Sequence, residues 1–373
     1  MKRIVFTGTL FIAITYALGR FSFGLFLPEI TTALNLSAAN AGLIASSAYA
    51  GYCLALLSAA TLVRWLGSRA TLQLAGCCVL AGFVLIGTAE QGYSLAAGLA
   101  LTGLSSGWAS PAYGHMVQTA LQPEQRERGN AWVNSGTGWG MVLLGPLGYF
   151  MSAQWRYAYF GFAVLGVVAI LLQWRVLPRS QAIENQPAPG LPRHVWRWGG
   201  ALIGASFMVG AASSIYWTFG RSMWQAGHGF SDDSAAVLWL VMGISGIFGG
   251  FAGAVLERLG QGAAYRYGML VLMLSICGIT VPGMIVAFLS SIMFGAAYIF
   301  LTGVFIVWGI RCFPRHTAFG ISLSFLMLGA GQFGGSMAAG ALINATSYTA
   351  AFVSFGVLGM AGLAIHTTDP RDA

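Results

Sequence analysis

Twelve apolar runs, each near the length of a membrane crossing, fill almost the whole chain. They span residues 4–28, 40–63, 70–89, 93–119, 130–150, 157–177, 198–223, 234–256, 265–280, 283–310, 318–342 and 349–366. A helix crosses the hydrocarbon of a bilayer in about 20 predominantly apolar residues. Inside lipid every backbone N–H and C=O must find its partner within the protein, which leaves helices and closed barrels. These runs are too long for barrel strands and do not alternate, so helices are predicted throughout. The weakest break is Val281, Pro282 and Gly283, between the ninth and tenth runs. Charged residues make up 8% of the chain, against about 25% in a soluble domain, and the short breaks leave no room for one. The first residues, MKRIVFTGTLFIAITYALG, have the basic start and apolar core of a cleaved leader. The apolar run continues past Arg20 to Leu27, however, and is read as a retained first span.

The charges then fix an orientation. With twelve spans both termini share a face, and placing that face in the cytoplasm puts fifteen of the eighteen Lys and Arg in inner segments: Lys2, Arg3, Arg64, Arg69, Arg126, Arg128, Arg175, Arg179, Arg193, Arg197, Arg258, Arg266, Arg311, Arg315 and Arg371. Cytoplasmic loops carry such an excess. The net charge of +8 is therefore a topology signal, and no nucleic-acid partner is expected. Arg20, Arg156 and Arg221 are the exceptions. The polar, Pro-rich stretch PRSQAIENQPAPGLPRHVWRW, from Pro178, reads as a cytoplasmic linker. The expected organisation is a first six-helix bundle at 1–177, the linker at 178–197 and a second bundle at 198–373. The five cysteines lie in or beside apolar runs without metal-ligand spacing, so neither a metal nor a cofactor is expected.

The two halves resemble each other. AATLVRWLGSRATL after span two aligns with GAVLERLGQGAAY after span eight when Gly67 is set on Gly260. NLSAANAGLIAS, from Asn35, aligns with GFSDDSAAVLWL, from Gly229. RGNA (Arg128 to Ala131) aligns with RHTA (Arg315 to Ala318) after spans four and ten. Three matches in the same order point to an all-α polytopic membrane protein of two pseudo-symmetric six-helix bundles. Parallel repeats of this kind are a transporter architecture, with the binding site between the halves at mid-membrane.

At these residues the chain resembles the major facilitator superfamily. GAVLERLGQG is similar to the family's loop signature, with Gly253, Glu257, Arg258 and Gly260 in the glycine, acid, arginine and second-glycine places. The first-half copy is degenerate: Ala60 takes the glycine place and Arg64 the acid place. GPLG, Gly145 to Gly148, partly resembles the family's antiporter signature in span five, and RFSFGLFLPEI in span one is similar to monocarboxylate and oxalate/formate porters. The resemblance implies alternating access, with spans one, four, seven and ten lining the cavity. It implies a gating role for Arg64, Gly67, Arg128, Gly253, Glu257, Arg258, Gly260 and Arg315. The signature acid is expected at the start of a helix in the opposite half, where the helix dipole favours negative charge. That places Glu257 near Arg128 and sets Arg64 against Arg315, a repulsive pair. Arg64→Asp is therefore expected to shift the resting equilibrium toward the cytoplasmically closed state. Reduced labelling of a cysteine introduced into the inner cavity would report it, and unchanged or increased labelling would count against it.

Arg20 is the most informative single residue. A charge well inside a span costs about 2.5–3.5 kcal/mol on insertion scales and normally faces a cavity or a partner. Stepping by three and four places Ala13, Tyr16, Ala17, Gly24 and Leu27 on its face, small residues with one aromatic, as a cavity wall would have. The alternative is an anchor that snorkels to the outer interface. Arg221, with Trp217 on its face, is either a substrate ligand or an outer anchor paired with Asp232 or Asp233. Span four offers Trp108 and His115 on one face. His115 is a candidate proton site because histidine titrates near neutrality, and a packing histidine is the alternative. Span ten offers Tyr298 and Thr302. Asn134 and Gln332 could orient substrate or join helices.

All ten carboxylates fall in loops or at span ends, so the buried charge of the spans is positive. That favours an organic anion, a small carboxylate being the simplest, since arginine grips it bidentately. GPLG and the aromatic content favour the alternative, proton-driven efflux of neutral or amphipathic compounds. An enzyme would need a catalytic cluster that the spans lack. The expected partners are a small-molecule substrate, the lipid bilayer and a coupling proton, and the expected state is a monomer in a bacterial inner membrane.

Overall fold

The computed structural model describes residues 1–178, 195–247 and 252–367, without the side chains of 152, 195–198, 252–255 and 257. The chain is an all-α polytopic membrane protein, and its described residues supply helices for each of the twelve expected spans. Span one is the continuous helix Lys2–Leu34. Spans two and three form one helical run, Ala38–Gly87, broken at Gly67. Span four is Gly92–Ala120, and span five is built from Pro123–Asn134 and Gly136–Met151. Span six is Trp155–Val176. Span seven is Val195–Ser222, extended by a π-helical turn, Met223–Gly227. Asp232–Gly246 and Ala252–Gly278, the latter broken at Gly260, supply spans eight and nine. Spans ten, eleven and twelve are Met284–Cys312, Thr317–Ala345 and Tyr348–Met360.

The alignment of the halves has a backbone counterpart. Gly67 has φ 78° and ψ 161°, and Gly260 has φ 75° and ψ 165°. A side chain adopts that geometry at a steep steric cost, which is why glycine stands at both places. Asn35 (φ 50°) and Gly229 (φ 68°) are likewise both left-handed. Two residues later the Ser37 hydroxyl accepts from the Asn40 N–H at 3.2 Å and the Ser231 hydroxyl from the Ser234 N–H at 3.3 Å. Each pair satisfies a donor that a helix start would leave orphaned.

A third correspondence is a close helix crossing. A Cβ added to Gly103 in span four would lie 2.0 Å from the Ala48 carbonyl oxygen of span two. In the second repeat the same helix pair meets again, with a Cβ on Gly295 lying 2.0 Å from the Met242 oxygen. Membrane helices lack a hydrophobic force between them and associate through such small-residue contacts.

The chain divides into two compact units, Met1–Leu36 with Ser47–Ala188, and Ser37–Ser46 with Pro189–Ala373. The second unit takes in Ser37–Ser46 because Gly42 and Gly340 meet backbone to backbone: a Cβ on either would lie 2.4 Å from a carbonyl oxygen, of Ser336 and Ala38 respectively. Of the expected linker at 178–197, residues 179–194 lie outside the described residues, and helix has begun by Val195.

Candidate functional site

In the first unit the local winding of span one sets the direction of Arg20. Residues Ala13–Phe21 form a π-helix between two α-helical segments. Its hydrogen bonds reach one residue further than those of an α-helix, and such segments concentrate at functional positions. The face drawn by steps of three and four therefore does not run through this stretch, because each π turn holds an extra residue. Arg20 is only 6% exposed. Its guanidinium carbon lies 4.1 Å from the ring centre of Tyr52, 4.9 Å from that of Tyr49 and 5.5 Å from that of Phe21. Aromatic rings attract a cation at these distances through the negative charge over their faces. Tyr16 meets Tyr52 edge-on at 6.2 Å, and the two side chains share a hydrogen bond. Tyr16 and Arg20 both meet Tyr52, although the shared α-helical face drawn for them from the sequence does not hold here, and Tyr49 and Tyr52 are additions. Their signal was the YAGYC stretch of span two, two aromatics three residues apart and so on one helix face, a pattern that also fits plain packing.

The remaining candidates of the first unit lie apart from Arg20's ring cluster in their bonding. The Trp108 indole donates to the Ser58 hydroxyl at 2.9 Å. His115 Nδ1 and the Ser68 hydroxyl are 2.6 Å apart, which ties span four to the residue after the Gly67 break. Asn134 donates to its own helix at the Asn130 carbonyl and accepts from Ser110 at 3.4 Å. Arg64 is half-buried and Arg128 exposed.

In the second unit Trp217, Tyr298 and Gln332 converge. The Trp217 ring lies 5.1 Å from Tyr298, 5.2 Å from Phe294 and 6.3 Å from Trp239. The Gln332 amide, wholly buried, donates to the Tyr298 hydroxyl at 3.1 Å. Thr302 gives its hydroxyl proton to the Ile299 carbonyl of its own helix. Arg221 is fully buried and lies 3.6 Å from the Asp232 carboxylate, which also accepts from Gln225. This is the anchoring arrangement weighed for Arg221 on sequence grounds. Asp232 is 65% exposed, so a buried cation is held by an acid that reaches in from the start of span eight. Arg258 and Arg315 are exposed, Gly253 lies in the helix before the Gly260 break, and the Glu257 side chain lies outside the described residues. Glu29, expected just beyond span one, sits on its helix, which runs on to Leu34.

Two six-span repeats with broken helices and buried polar side chains are the architecture of a membrane transporter. The profile described as Major Facilitator Superfamily matches residues 9–317, and the chain belongs to that superfamily. No curated protein matches the sequence. Among solved structures the fold is similar to that of the nucleoside transporter NupG in a mutant form, at 14% identity and TM-score 0.81, covering 98% of this chain and 100% of that one. It is similar to a D-xylose-proton symporter at 16% identity and TM-score 0.80, covering 99% and 98%. It is also similar to a bacterial homologue of the human lysosomal transporter Spinster, at 16% identity and TM-score 0.77, covering 97% and 95%. The protein is a multi-pass membrane transporter and not an enzyme.

Proposed function

We propose that this transporter moves a small organic anion, a monocarboxylate in the simplest case, by alternating access. The observation that carries the reading is the buried Arg20 guanidinium, turned among the rings of Tyr49 and Tyr52 within the first unit. Burying a cation is costly unless its surroundings compensate for the lost water. Aromatic faces supply part of that compensation, and the guanidinium's fork of N–H donors matches the two oxygens of a carboxylate. The proposal includes a coupling proton, with His115 as the candidate group, and a monomer in a bacterial inner membrane with both termini cytoplasmic. It assigns gating to Arg64, Gly67, Arg128, Gly253, Glu257, Arg258, Gly260 and Arg315.

A second reading, efflux of neutral or amphipathic compounds, is favoured by the Trp217, Phe294 and Tyr298 rings with Gln332. Aromatic walls with a few polar groups suit such ligands. A thermal-shift screen of the purified protein separates the two. Lactate and benzoate are expected to stabilise the wild type and to lose that effect in Arg20→Ala. Stabilisation by chloramphenicol or tetraphenylphosphonium alone, unchanged by the mutation, would refute the anion reading.

A further inference from the structure

We propose that Tyr52, with Tyr49, is the positioning element of the anion site: the two rings fix the plane of the Arg20 guanidinium and thereby select a planar carboxylate presented to its edge. The inference rests on the anion reading and adds the residues that give the site its geometry. A guanidinium has two different surfaces. Its faces are weakly hydrated and stack on aromatic rings, and its rim carries five N–H donors in one plane. Tyr52 and Tyr49 lie within 4.1 Å and 4.9 Å of the guanidinium carbon, measured to their ring centres, which is where ring faces attract a cation. Both tyrosines are almost wholly buried, at 4% and 2% exposure for Tyr49 and Tyr52.

Both come from span two, three residues apart, and so present to the same side of one helix. Tyr52 is itself held, since Tyr16 of span one meets it edge-on and shares a hydrogen bond with it. The arrangement therefore links the π-helical stretch of span one to a fixed point on span two. A long arginine side chain loses much rotamer freedom when it is held. If the rings have already fixed it, a ligand need not supply that ordering, and it binds more tightly. With its carbon held over these ring centres, the guanidinium offers an anion the N–H donors of its rim, and two parallel N–H···O bonds to one carboxylate are the arrangement the rim favours.

The ring, rather than the hydroxyl, is the active part of Tyr52. Tyr52→Phe is therefore expected to keep carboxylate affinity within about twofold. Tyr52→Leu, which removes the ring face, is expected to weaken it by about tenfold, in line with a desolvated cation–π contact. Tyr49→Leu is expected to do the same to a lesser degree, and serves as the second variant should Tyr52→Leu fail to fold. Affinity of the purified full-length protein for benzoate, and for lactate as an aliphatic carboxylate, would be measured by titration calorimetry. The unliganded melting temperature of each variant would be recorded alongside. Loss in the Leu variants with retention in the Phe variant is the expected result. Equal affinity in the wild type and both Leu variants would overturn the positioning role while leaving the anion reading intact. Equal loss in Tyr52→Phe and Tyr52→Leu would overturn it too, since the hydroxyl would then be the operative group. Failure of the wild type to bind either carboxylate would remove the anion reading and this inference with it.

Discussion

Arg20→Gln is expected to weaken carboxylate binding by at least about thirtyfold. Truncating one partner of a buried, hydrogen-bonded charge pair costs about 2–5 kcal/mol, and 1.4 kcal/mol is a factor of ten. Arg20 meets the condition of burial, being 6% exposed and surrounded by Tyr52, Tyr49 and Phe21. Arg20→Lys keeps the charge but not the planar fork or its stacking, so an intermediate loss of about tenfold is expected. The order wild type, Lys, Gln is the signature of a charge that is also a geometric ligand. Titration of benzoate into the three proteins would show it. Equal affinity in all three would mean that Arg20 is a structural cation.

The second large effect concerns stability. Gly103→Ala and Gly295→Ala are each expected to lower the melting temperature markedly, because the new methyl group would lie 2.0 Å from a backbone oxygen of the crossing helix. Backbone atoms cannot swing away as a side chain would, so the two helices must separate. Overpacking of this kind costs about 1–3 kcal/mol, occasionally more. Gly114→Ala and Gly334→Ala are the matched controls. Both glycines are helical, and a Cβ on either would meet nothing within 4 Å. Alanine is the better helix former by about 1 kcal/mol, so these two should be neutral or mildly stabilising. Equal losses at all four positions would show that the close crossings are not what makes glycine necessary.

The span pattern and the repeat could be read from the sequence because both rest on strong local chemistry. Runs near twenty apolar residues have one economical fold in lipid, and positions such as Gly67 and Gly260 need a residue without a Cβ. The paired left-handed turns at Asn35 and Gly229 and the paired caps at Ser37 and Ser231 belong to the same class of signal. The candidate site was only half legible. Arg20 stood out as a cation in an apolar run, but its neighbours did not. A π-helix leaves no mark in composition, so a face drawn with α-helical steps fails within Ala13–Phe21. Tyr49 and Tyr52 carry no distinguishing signal, because nothing in the spacing of span two says which ring will lie near a guanidinium on span one. Arg221 was ambiguous for a related reason: its acid, Asp232, lies eleven residues on, at the first position of the next helix. Only the fold brings the two together.

Counterflow in proteoliposomes decides whether Arg20 binds the transported anion. Vesicles carrying the purified full-length protein would be loaded with unlabelled lactate or benzoate and diluted into the radiolabelled compound. An alkaline medium keeps scarce the neutral acid that leaks through lipid. Wild-type protein is expected to accumulate label transiently and Arg20→Gln to accumulate none. Accumulation of equal size in both proteins, or counterflow of neutral compounds with none of the carboxylates, would contradict it.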